Sequence, residues 1–402
     1  MIKIKNIDFR IVCIGLFVLS CLLRQKLLNS QFALINFISL FGILLIYLRS
    51  KRKFKTEEYL GASRQKFYLL YILTIICFIS ICILTTTMQP VDIFKYLFTT
   101  IVPILILFIP LSKEDTKRYV KIFSNFLLIS CAFISICGIL DFIVPIDISG
   151  KFVNFYKVAS LYDMHSSNRM VSYLGHPLLT SEIMLICYSF NYLNNVLNGK
   201  RESNIKTIFC TLICFVGIIL AGSKTGILLF VSLFLVLNVN LKNIKYVIVC
   251  GMLFYLIYSY GLLDIVINRF ISGLASGDIT TGRNSALAYL FSNNILNFKF
   301  LSGHAGVTLN ESMIAALEYP ILRWAYLFGG LFSLLMSTMI FIIPLMKIIK
   351  SSNYKIIAIL IVLIIDVNTY NGITTQSDHM LIYCICIWLI LHISYCLKGK
   401  RI

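Results

Sequence analysis

Mostly apolar runs of about 20 residues recur along the chain and are separated by short polar gaps. An α-helix of that length crosses a hydrocarbon core of about 30 Å. The pattern predicts an all-α polytopic membrane protein, with residues 1–402 forming one integral membrane domain. About twelve spans are predicted, at residues 11–23, 32–48, 67–86, 93–111, 119–144, 172–196, 205–221, 224–240, 244–263, 322–346, 354–372 and 380–397. Eleven spans are the alternative, because the first run is short and the seventh and eighth are nearly fused.

Two of the polar gaps are long, and both fall on the same side of the predicted bundle. They cover residues 145–171 and 264–321, and the second is the longest polar stretch of the chain. Two surface helices are predicted within it, around 284–297 and 310–318, with a glycine-rich turn at 302–306 between them. Long loops in a compact polytopic protein usually carry function. We therefore expect the functional site on the side of these loops.

The composition agrees with a membrane protein, since 59% of the residues are hydrophobic and only 13% are charged. A soluble fold of this length could not hide so much apolar surface. The first residues, MIKIKNIDFR before an apolar run, imitate a signal peptide. No small-residue cleavage site follows Cys21, so we expect a retained first helix.

The charged residues divide unequally between the two sides of the predicted bundle. Of the 36 Lys and Arg, 25 lie in the gaps of one side with six of the 17 acidic residues, and 11 of each sign lie elsewhere. Because cytoplasmic loops are enriched in Lys and Arg, the first side and both termini are predicted to be cytoplasmic. The net charge of +19 then reflects orientation in a lipid bilayer with an anionic inner leaflet, and no nucleic-acid partner is expected.

All 13 cysteines fall inside predicted spans. The pairs Cys384-x-Cys386 and Cys210-x3-Cys214 would lie within helices, so their spacing disfavours a disulfide framework or a zinc site. We expect lipid-facing or packing residues and no metal. The chain also has no P-loop and no GxGxxG, so no nucleotide chemistry and no cofactor are predicted.

Ionisable residues concentrate near the ends of spans on the outer side. Charges close to hydrocarbon are costly, and they tend to face a cavity or to pair with one another. Each alone could be an interfacial anchor, but together they favour an outward-facing polar site. Cations there would suit a phosphate-bearing ligand, and carboxylates or histidines would suit proton transfer. The set comprises His165, His176, His304, His379, Asp141, Glu182, Glu318, Asp366, Asp378, Arg169, Lys224, Arg283 and Arg323.

Five short segments, in this order along the chain, resemble motifs of the bacterial O-antigen polymerase and ligase superfamily. They are RMVSYLGHPL at 169–178, AGSKTG at 221–226, TGRN at 281–284, LSGHAG at 301–306 and EYPILRWAYLFG at 318–329. The resemblance covers residues 169–335, which is under half of the chain.

The resemblance implies a GT-C-like glycosyltransferase of the bacterial plasma (inner) membrane, with its active site on the outer face. Its substrate would be an oligosaccharide on undecaprenyl diphosphate, the precursor of O-antigen, capsule or exopolysaccharide. A polymerase moves the growing glycan onto the next lipid-linked unit, whereas a ligase moves it onto a different lipid. The flippase and the chain-length regulator of such a pathway would be possible partners.

The implied site residues follow from the positions of the motifs. Diphosphate would be bound by Arg283, Lys224, Arg169 and Arg323, proton transfer would fall to Glu318 with His304 as the fallback, and His176 and Glu182 would orient the substrate. Two residues depart from the superfamily pattern. Lys224 stands where an arginine is usual, so the bidentate fork is lost. Glu318 stands where the ligases carry a histidine, which favours a polymerase over a ligase.

A purely structural role is the alternative for each of these residues. It would be a snorkelling lysine, a solvated loop cation or a helix-capping group. His176 in particular precedes Pro177 at a predicted helix start and is expected to be structural. A twelve-helix flippase for lipid-linked oligosaccharides would explain the topology and the intramembrane charges equally well. It would not require a long outer loop that contains Arg283 and Glu318.

Overall fold

The computed structural model describes residues 63–85, 88–144, 146–199, 205–238, 244–275, 277–278, 280, 282–350, 353–370, 372–374 and 379–397. The predicted spans at 11–23 and 32–48 lie outside these residues. Within them the chain is helical throughout, with no β-strand. The prediction of an all-helical protein is therefore confirmed for the described part.

Most of the described helices follow the predicted apolar runs, and five lie in the two long loops. In chain order they are α1 (Ser63–Thr85), α2 (Pro90–Tyr96), α3 (Lys113–Ile143), α4 (Ile148–Tyr156), α5 (Ala159–Ser166), α6 (Pro177–Leu197), α7 (Ile205–Leu220), α8 (Lys224–Asn238), α9 (Ile244–Ser259), α10 (Asp264–Ala275), α11 (Arg283–Ser292), α12 (Glu311–Ala316), α13 (Pro320–Ser337), α14 (Ile343–Ile349), α15 (Tyr354–Val367) and α16 (His379–Leu397). Short π and 3-10 turns at 97–108 and 338–342 extend α2 and join α13 to α14.

Five helical segments of the described chain are long and apolar enough to cross a membrane. They are Gln65–Thr85, Pro90–Phe108, Lys113–Ile143, Pro320–Ile349 and His379–Leu397. On α1, Ile83 and Leu84 are 68% and 73% exposed, as expected of side chains that face lipid. The chain is thus a helical membrane protein, while a count of twelve spans stays a prediction.

Helices α3, α6 and α7 pack against one another more extensively than any other three helices described. Nearly every residue of α6 is buried, including the polar Glu182 and Asn191. Helix α16 is also almost wholly buried and packs on the 102–108 turn. The centre of the bundle therefore contains α6 and α16, and α1 and α3 present apolar side chains outward.

Helix α13 is broken at Gly329, whose φ of 84° and ψ of 160° interrupt the helical path. A break frees backbone groups, which must find partners where water is excluded. The extended segment 299–304 of the preceding loop supplies those partners. The bonds run from Gly330 N to Lys299 O at 3.0 Å, from Leu331 N to Phe300 O at 2.9 Å and from His304 N to Tyr326 O at 3.0 Å.

Glycine is required at position 303, where this loop segment meets the broken helix. A Cβ at Gly303 would lie 2.1 Å from the carbonyl oxygen of Leu327, which no side chain tolerates. The glycine-rich turn predicted at 302–306 is therefore the point at which the long loop inserts into α13. The insertion fixes the start of α13 relative to the loop.

The two surface helices predicted in the long loop are present as α11 and α12, each shorter than predicted. They share a small hydrophobic core with the start of α13, separate from the main core. Its buried members are Leu290, Leu296, Met313, Ala316, Leu317 and Tyr326. Because this core joins the three helices, it also fixes the side chains at the start of α11 and the end of α12.

Candidate functional site

An ion pair joins the two loop residues that the motifs single out. Arg283 is the first residue of α11, and Glu318 follows the end of α12. The Nε of Arg283 contacts Oε2 of Glu318, and its Nη1 donates to the carbonyl of Thr369 at 2.6 Å. Both side chains are partly buried, at 21% and 29% exposure. The pair therefore connects the long loop to the segment that follows α15.

Asp278 holds the start of α11 in place. Its carboxylate accepts from the backbone N–H of Thr280 at 2.8 Å and of Ser285 at 3.1 Å, and from the Ser285 hydroxyl at 2.7 Å. Hydrogen bonds from the side chains of Thr280, first, and of Ser285 hold the pKa of Asp278 well below its ordinary value. The loop before Arg283 is thus closed by a carboxylate that stays ionised.

Two arginines converge on the turn between α7 and α8. Arg169 donates from Nε to the carbonyl of Ala221 at 3.1 Å, and Arg269 donates from Nη1 to the carbonyl of Gly222. Cations are favourable at the carbonyl end of a helix such as α7. Lys224 begins α8, and its Nζ donates to the backbone carbonyl of Arg269 at 3.3 Å. This turn therefore gathers three cations from three segments of the chain.

The arginines at the turn between α7 and α8 lie close enough to the Arg283–Glu318 ion pair for its charges to affect their pKa values. Burial lowers the pKa of Arg169, the positive charges of Arg269 and Arg283 lower it further, and Glu318 acts in the opposite direction. Burial and then Arg283 likewise lower the pKa of Arg269. These shifts mean that the positive charges outweigh the carboxylate near Arg169. An anion bound there would remove an unfavourable charge balance.

Arg323, one turn into α13, lies within electrostatic range of Glu318. Among the described residues, its Nε and Nη1 atoms have no hydrogen-bond partner and are buried, and the same holds for Nη2 of Arg169. A buried donor without a partner costs about 1–3 kcal/mol, and such groups are rare in native structures. We call the following residues the cation cluster: Arg169, Lys224, Arg269, Arg283 and Arg323, with the carboxylates Glu318 and Asp278.

A cleft of about 460 Å³ opens beside Arg169, between the end of α3 and the α4–α5 region. This volume lies within the range of about 300–1,000 Å³ that is usual for small-molecule sites. Its wall includes Asp141, which accepts from the backbone N–H of Ser149 at 2.7 Å and so has a structural role. It also includes His165, whose Nε2 lies 3.2 Å from Oδ1 of Asp147.

The two predicted orienting residues, Glu182 and His176, meet at Tyr370. The Tyr370 hydroxyl donates to Oε2 of buried Glu182, and the rings of His176 and Tyr370 stack with centroids 6.2 Å apart. His176 also caps α6, because its Nδ1 accepts from the N–H of Leu178 at 3.2 Å, as its structural reading anticipates. Since Thr369 accepts from Arg283, this group adjoins the cation cluster through one peptide unit.

His304 makes its contacts away from the carboxylate of Glu318. Its Nε2 lies 2.8 Å from the carbonyl oxygen of Asn297, and its ring stacks on Tyr326 with centroids 4.7 Å apart. These contacts hold the loop segment that enters the break in α13. The geometry thus gives His304 a structural role, whereas Glu318 is the carboxylate that pairs with Arg283.

Sequence reasoning missed Arg269 and the pair Thr369–Tyr370. Arg269 lies on α10, a helix that the sequence analysis does not predict at the start of the long loop 264–321. The sequence feature that indicates this helix is the amphipathic pattern of residues 264–275, in which one arginine stands among apolar residues. Tyr370 has no such signal, because its partner Glu182 is distant in sequence.

Four cysteines come together deep in the bundle, on three different helices. Cys131 of α3, Cys187 of α6, and Cys210 and Cys214 of α7 are all 0% exposed. They are therefore buried inside the bundle, and the lipid-facing alternative is wrong for them. Spacing along one helix could not reveal this arrangement, since it depends on how α3, α6 and α7 pack.

No known protein family, curated protein or solved structure matches this chain. The apolar helices define its class, a helical membrane protein. Its activity must therefore be argued from the cation cluster and the motifs that contribute to it.

Proposed function

We propose that this protein is a membrane glycosyltransferase that polymerises lipid-linked oligosaccharide repeat units. It would transfer the growing glycan from undecaprenyl diphosphate to the next lipid-linked unit, on the outer face of a bacterial plasma membrane. The observation that carries the proposal is the cation cluster, in which Arg283 contacts Glu318, Arg169 and Arg323 lie within electrostatic range of it, and two arginines keep buried donor atoms without a partner among the described residues. Such a site suits a ligand with several negative charges.

The reaction needs a leaving-group site and a base. An acceptor sugar hydroxyl attacks the anomeric carbon, the bond from that carbon to the diphosphate oxygen breaks, and undecaprenyl diphosphate leaves as an anion. The hydroxyl proton passes to Glu318, the carboxylate that lies among the cations. Preorganised cations stabilise the charge that develops on the departing diphosphate. The donor is already activated, so no nucleotide is required.

Arg283 couples donor binding to the release of the base. In the structure its Nε contacts the carboxylate of Glu318, and its Nη1 donates to the backbone carbonyl of Thr369. A diphosphate that binds Arg283 competes with Glu318 for the same guanidinium. Glu318 then becomes available to accept a proton only when the donor is present, which would limit wasteful hydrolysis.

The remaining charged residues fit binding roles around this centre. Arg169 and Arg323 offer buried donors to the phosphate oxygens, and Lys224 acts as a point charge from the helix turn. The cleft beside Arg169 has the size for a sugar unit of the donor or the acceptor. Glu182, held by Tyr370, and His176 would orient that sugar. A GT-C-like arrangement of about twelve spans belongs to the same proposal.

Topology provides the first test. Ser292 is exposed at the end of α11, and the proposal places it outside the cell. A Ser292→Cys protein should react with a membrane-impermeant maleimide in intact cells, or in spheroplasts where an outer membrane is present. The wild-type protein is the control for labelling of native thiols. Labelling of the introduced thiol only after lysis would overturn the proposed orientation and the site with it.

The decisive test is reconstitution with defined lipid-linked repeat units. Purified protein in liposomes should convert them into a ladder of longer glycans and release undecaprenyl diphosphate, without added nucleotide. A ligase would instead transfer the glycan only when a second lipid acceptor is supplied. A flippase would move the units across the bilayer with no change in their length. Either of these results would replace the proposed activity.

A further inference from the structure

The thiols of Cys131, Cys187, Cys210 and Cys214, which we call the thiol cluster, form a compact group. The Sγ atoms of Cys131, Cys187 and Cys214 lie within 4.8 Å of one another. The Sγ of Cys210 lies 3.9 Å from that of Cys187 and 4.0 Å from that of Cys214. Of the free cysteines in the described chain, only these four converge from three helices in this way.

The spacing of the sulfurs is close to that of a thiolate metal site. With a Zn–S bond of about 2.3 Å, the sulfurs of a tetrahedral site lie about 3.8 Å apart. The distances of 3.9 and 4.0 Å already match this value, and the 4.8 Å limit for Cys131, Cys187 and Cys214 requires a contraction of about 1 Å at most among these three sulfurs. We propose that the thiol cluster binds a thiophilic cation, Zn²⁺ or Cu⁺, at the centre of the helix bundle.

Charge balance permits such a site inside the membrane. Cysteine binds a metal as the thiolate, so coordination of Zn²⁺ by Cys131, Cys187 and Cys214 releases three protons to water and leaves one negative charge. Cu⁺ bound by two of these thiolates releases two protons and leaves the same charge. Lys206, one turn before Cys210, offers the positive charge that balances it, and its Nζ donates to Asn125 at 2.7 Å. The occupied site therefore needs no isolated charge in hydrocarbon.

The cation would brace the helices beneath the cation cluster. Cys187 lies on α6, whose first turns carry Glu182, and Cys214 lies on α7, which ends at the turn that binds Arg169 and Arg269. A structural metal contributes its binding free energy to folding. The bound form should therefore resist thermal unfolding better than the metal-free form.

Metal content and a cobalt spectrum test the proposal. Protein purified under reducing conditions is stripped with a chelator, loaded separately with Zn²⁺, Cu⁺ or Co²⁺, and measured by mass spectrometry of the metals. We expect retention of about one Zn²⁺ or Cu⁺ per chain after desalting, and a raised unfolding temperature. The Co²⁺ form should show the near-ultraviolet charge-transfer band of sulfur ligation.

Matched variants locate the site. Cys131→Ser with Cys214→Ser should abolish retention and the cobalt band. Cys384→Ser with Cys386→Ser, which alters two equally buried thiols on α16, should preserve both. If the first variant does not fold, X-ray absorption at the metal edge of the loaded wild type still identifies sulfur ligands. Absence of retained metal in the wild type, ligation without sulfur, or retention by a folded first variant would each overturn the proposal.

Discussion

The cation cluster and the thiol cluster both gather side chains that are distant in sequence, yet they use different supports. The thiols lie on three long helices at the best-packed part of the bundle, and all four are fully buried. The cations lie at helix ends, on the short helix α10 and in the loop before α6, and a separate small core holds those of α11 and α13. Removing a thiol should therefore affect stability, whereas removing a cation should affect binding of an anion.

The cost of leaving a group without a partner explains this difference. Apolar contacts satisfy a thiol, so it can remain in the core without a ligand. A guanidinium with unpartnered donors remains costly, as Nε and Nη1 of Arg323 illustrate. Buried cations that keep such donors despite the cost in stability indicate a ligand that would provide the missing hydrogen bonds.

The largest expected effect tests the carboxylate of the cation cluster. Glu318→Gln keeps the size of the side chain but cannot accept a proton, so we expect polymerisation to slow by about 10²–10⁴-fold. Single repeat units should accumulate, while Glu318→Asp retains part of the activity. Glu114→Gln, the same change at an exposed residue of α3, should leave the activity unchanged. Polymer length by gel electrophoresis gives the readout.

The His304→Ala variant is compared with Glu318→Gln, because His304 is the alternative candidate for the base. Because His304 contacts Asn297 and Tyr326, its replacement by alanine should reduce stability and activity together. Normal polymer from Glu318→Gln, with none from a stably folded His304→Ala, would move the base to His304 and show that the ion pair with Arg283 is structural.

The next effect concerns the insertion of the loop into α13. Gly303→Ala places a Cβ 2.1 Å from a backbone carbonyl, and overpacking of this kind costs about 1–3 kcal/mol or more. We expect a lower unfolding temperature in detergent and loss of activity. Gly251→Ala is the control, because no atom of the described residues outside its own helix lies within 4 Å of its added Cβ. Equal unfolding temperatures for the two variants would contradict the close approach of the loop to Leu327.

Arg283→Ala should weaken binding of the diphosphate. A charge-assisted contact contributes roughly 1.5–3 kcal/mol, which corresponds to roughly a tenfold to hundredfold loss of activity. Arg283→Lys should recover only part of it, since the fork is lost. Lys299→Ala removes an exposed cation from the same loop and should have no effect. Full-length polymer from Arg283→Ala at normal protein level would exclude this residue from the site.

The smallest expected effect is that of replacing Arg323, which should preserve or raise stability and lower activity. Arg323→Met keeps the length of the side chain and removes buried donors without partners, so the ligand-free protein should be as stable or more stable, by about 1 kcal/mol. Activity should nevertheless fall. Lys117→Met, at an exposed lysine of α3, should change neither quantity. A destabilised Arg323→Met protein would show that Arg323 supports the fold instead of a ligand.

The fold was predictable wherever the signal is local. Apolar runs of suitable length predict helices, and α1, α3 and α16 begin and end within a few residues of their predicted positions, apart from the start of α3. The break at Gly329 was not predicted, because a glycine in an apolar run is compatible with a continuous helix. It depends on the hydrogen bonds from residues 299–304, which no local pattern encodes.

The sequence by itself determined the helical membrane class, the approximate position of most described helices and the concentration of charge on one set of loops. These depend on composition and periodicity, which act over a few turns of chain. Only the tertiary structure brought Arg269 to the turn at Gly222, joined Glu318 to Arg283 and assembled the four thiols. Such contacts join segments that are distant along the chain, and their formation depends on how whole helices pack.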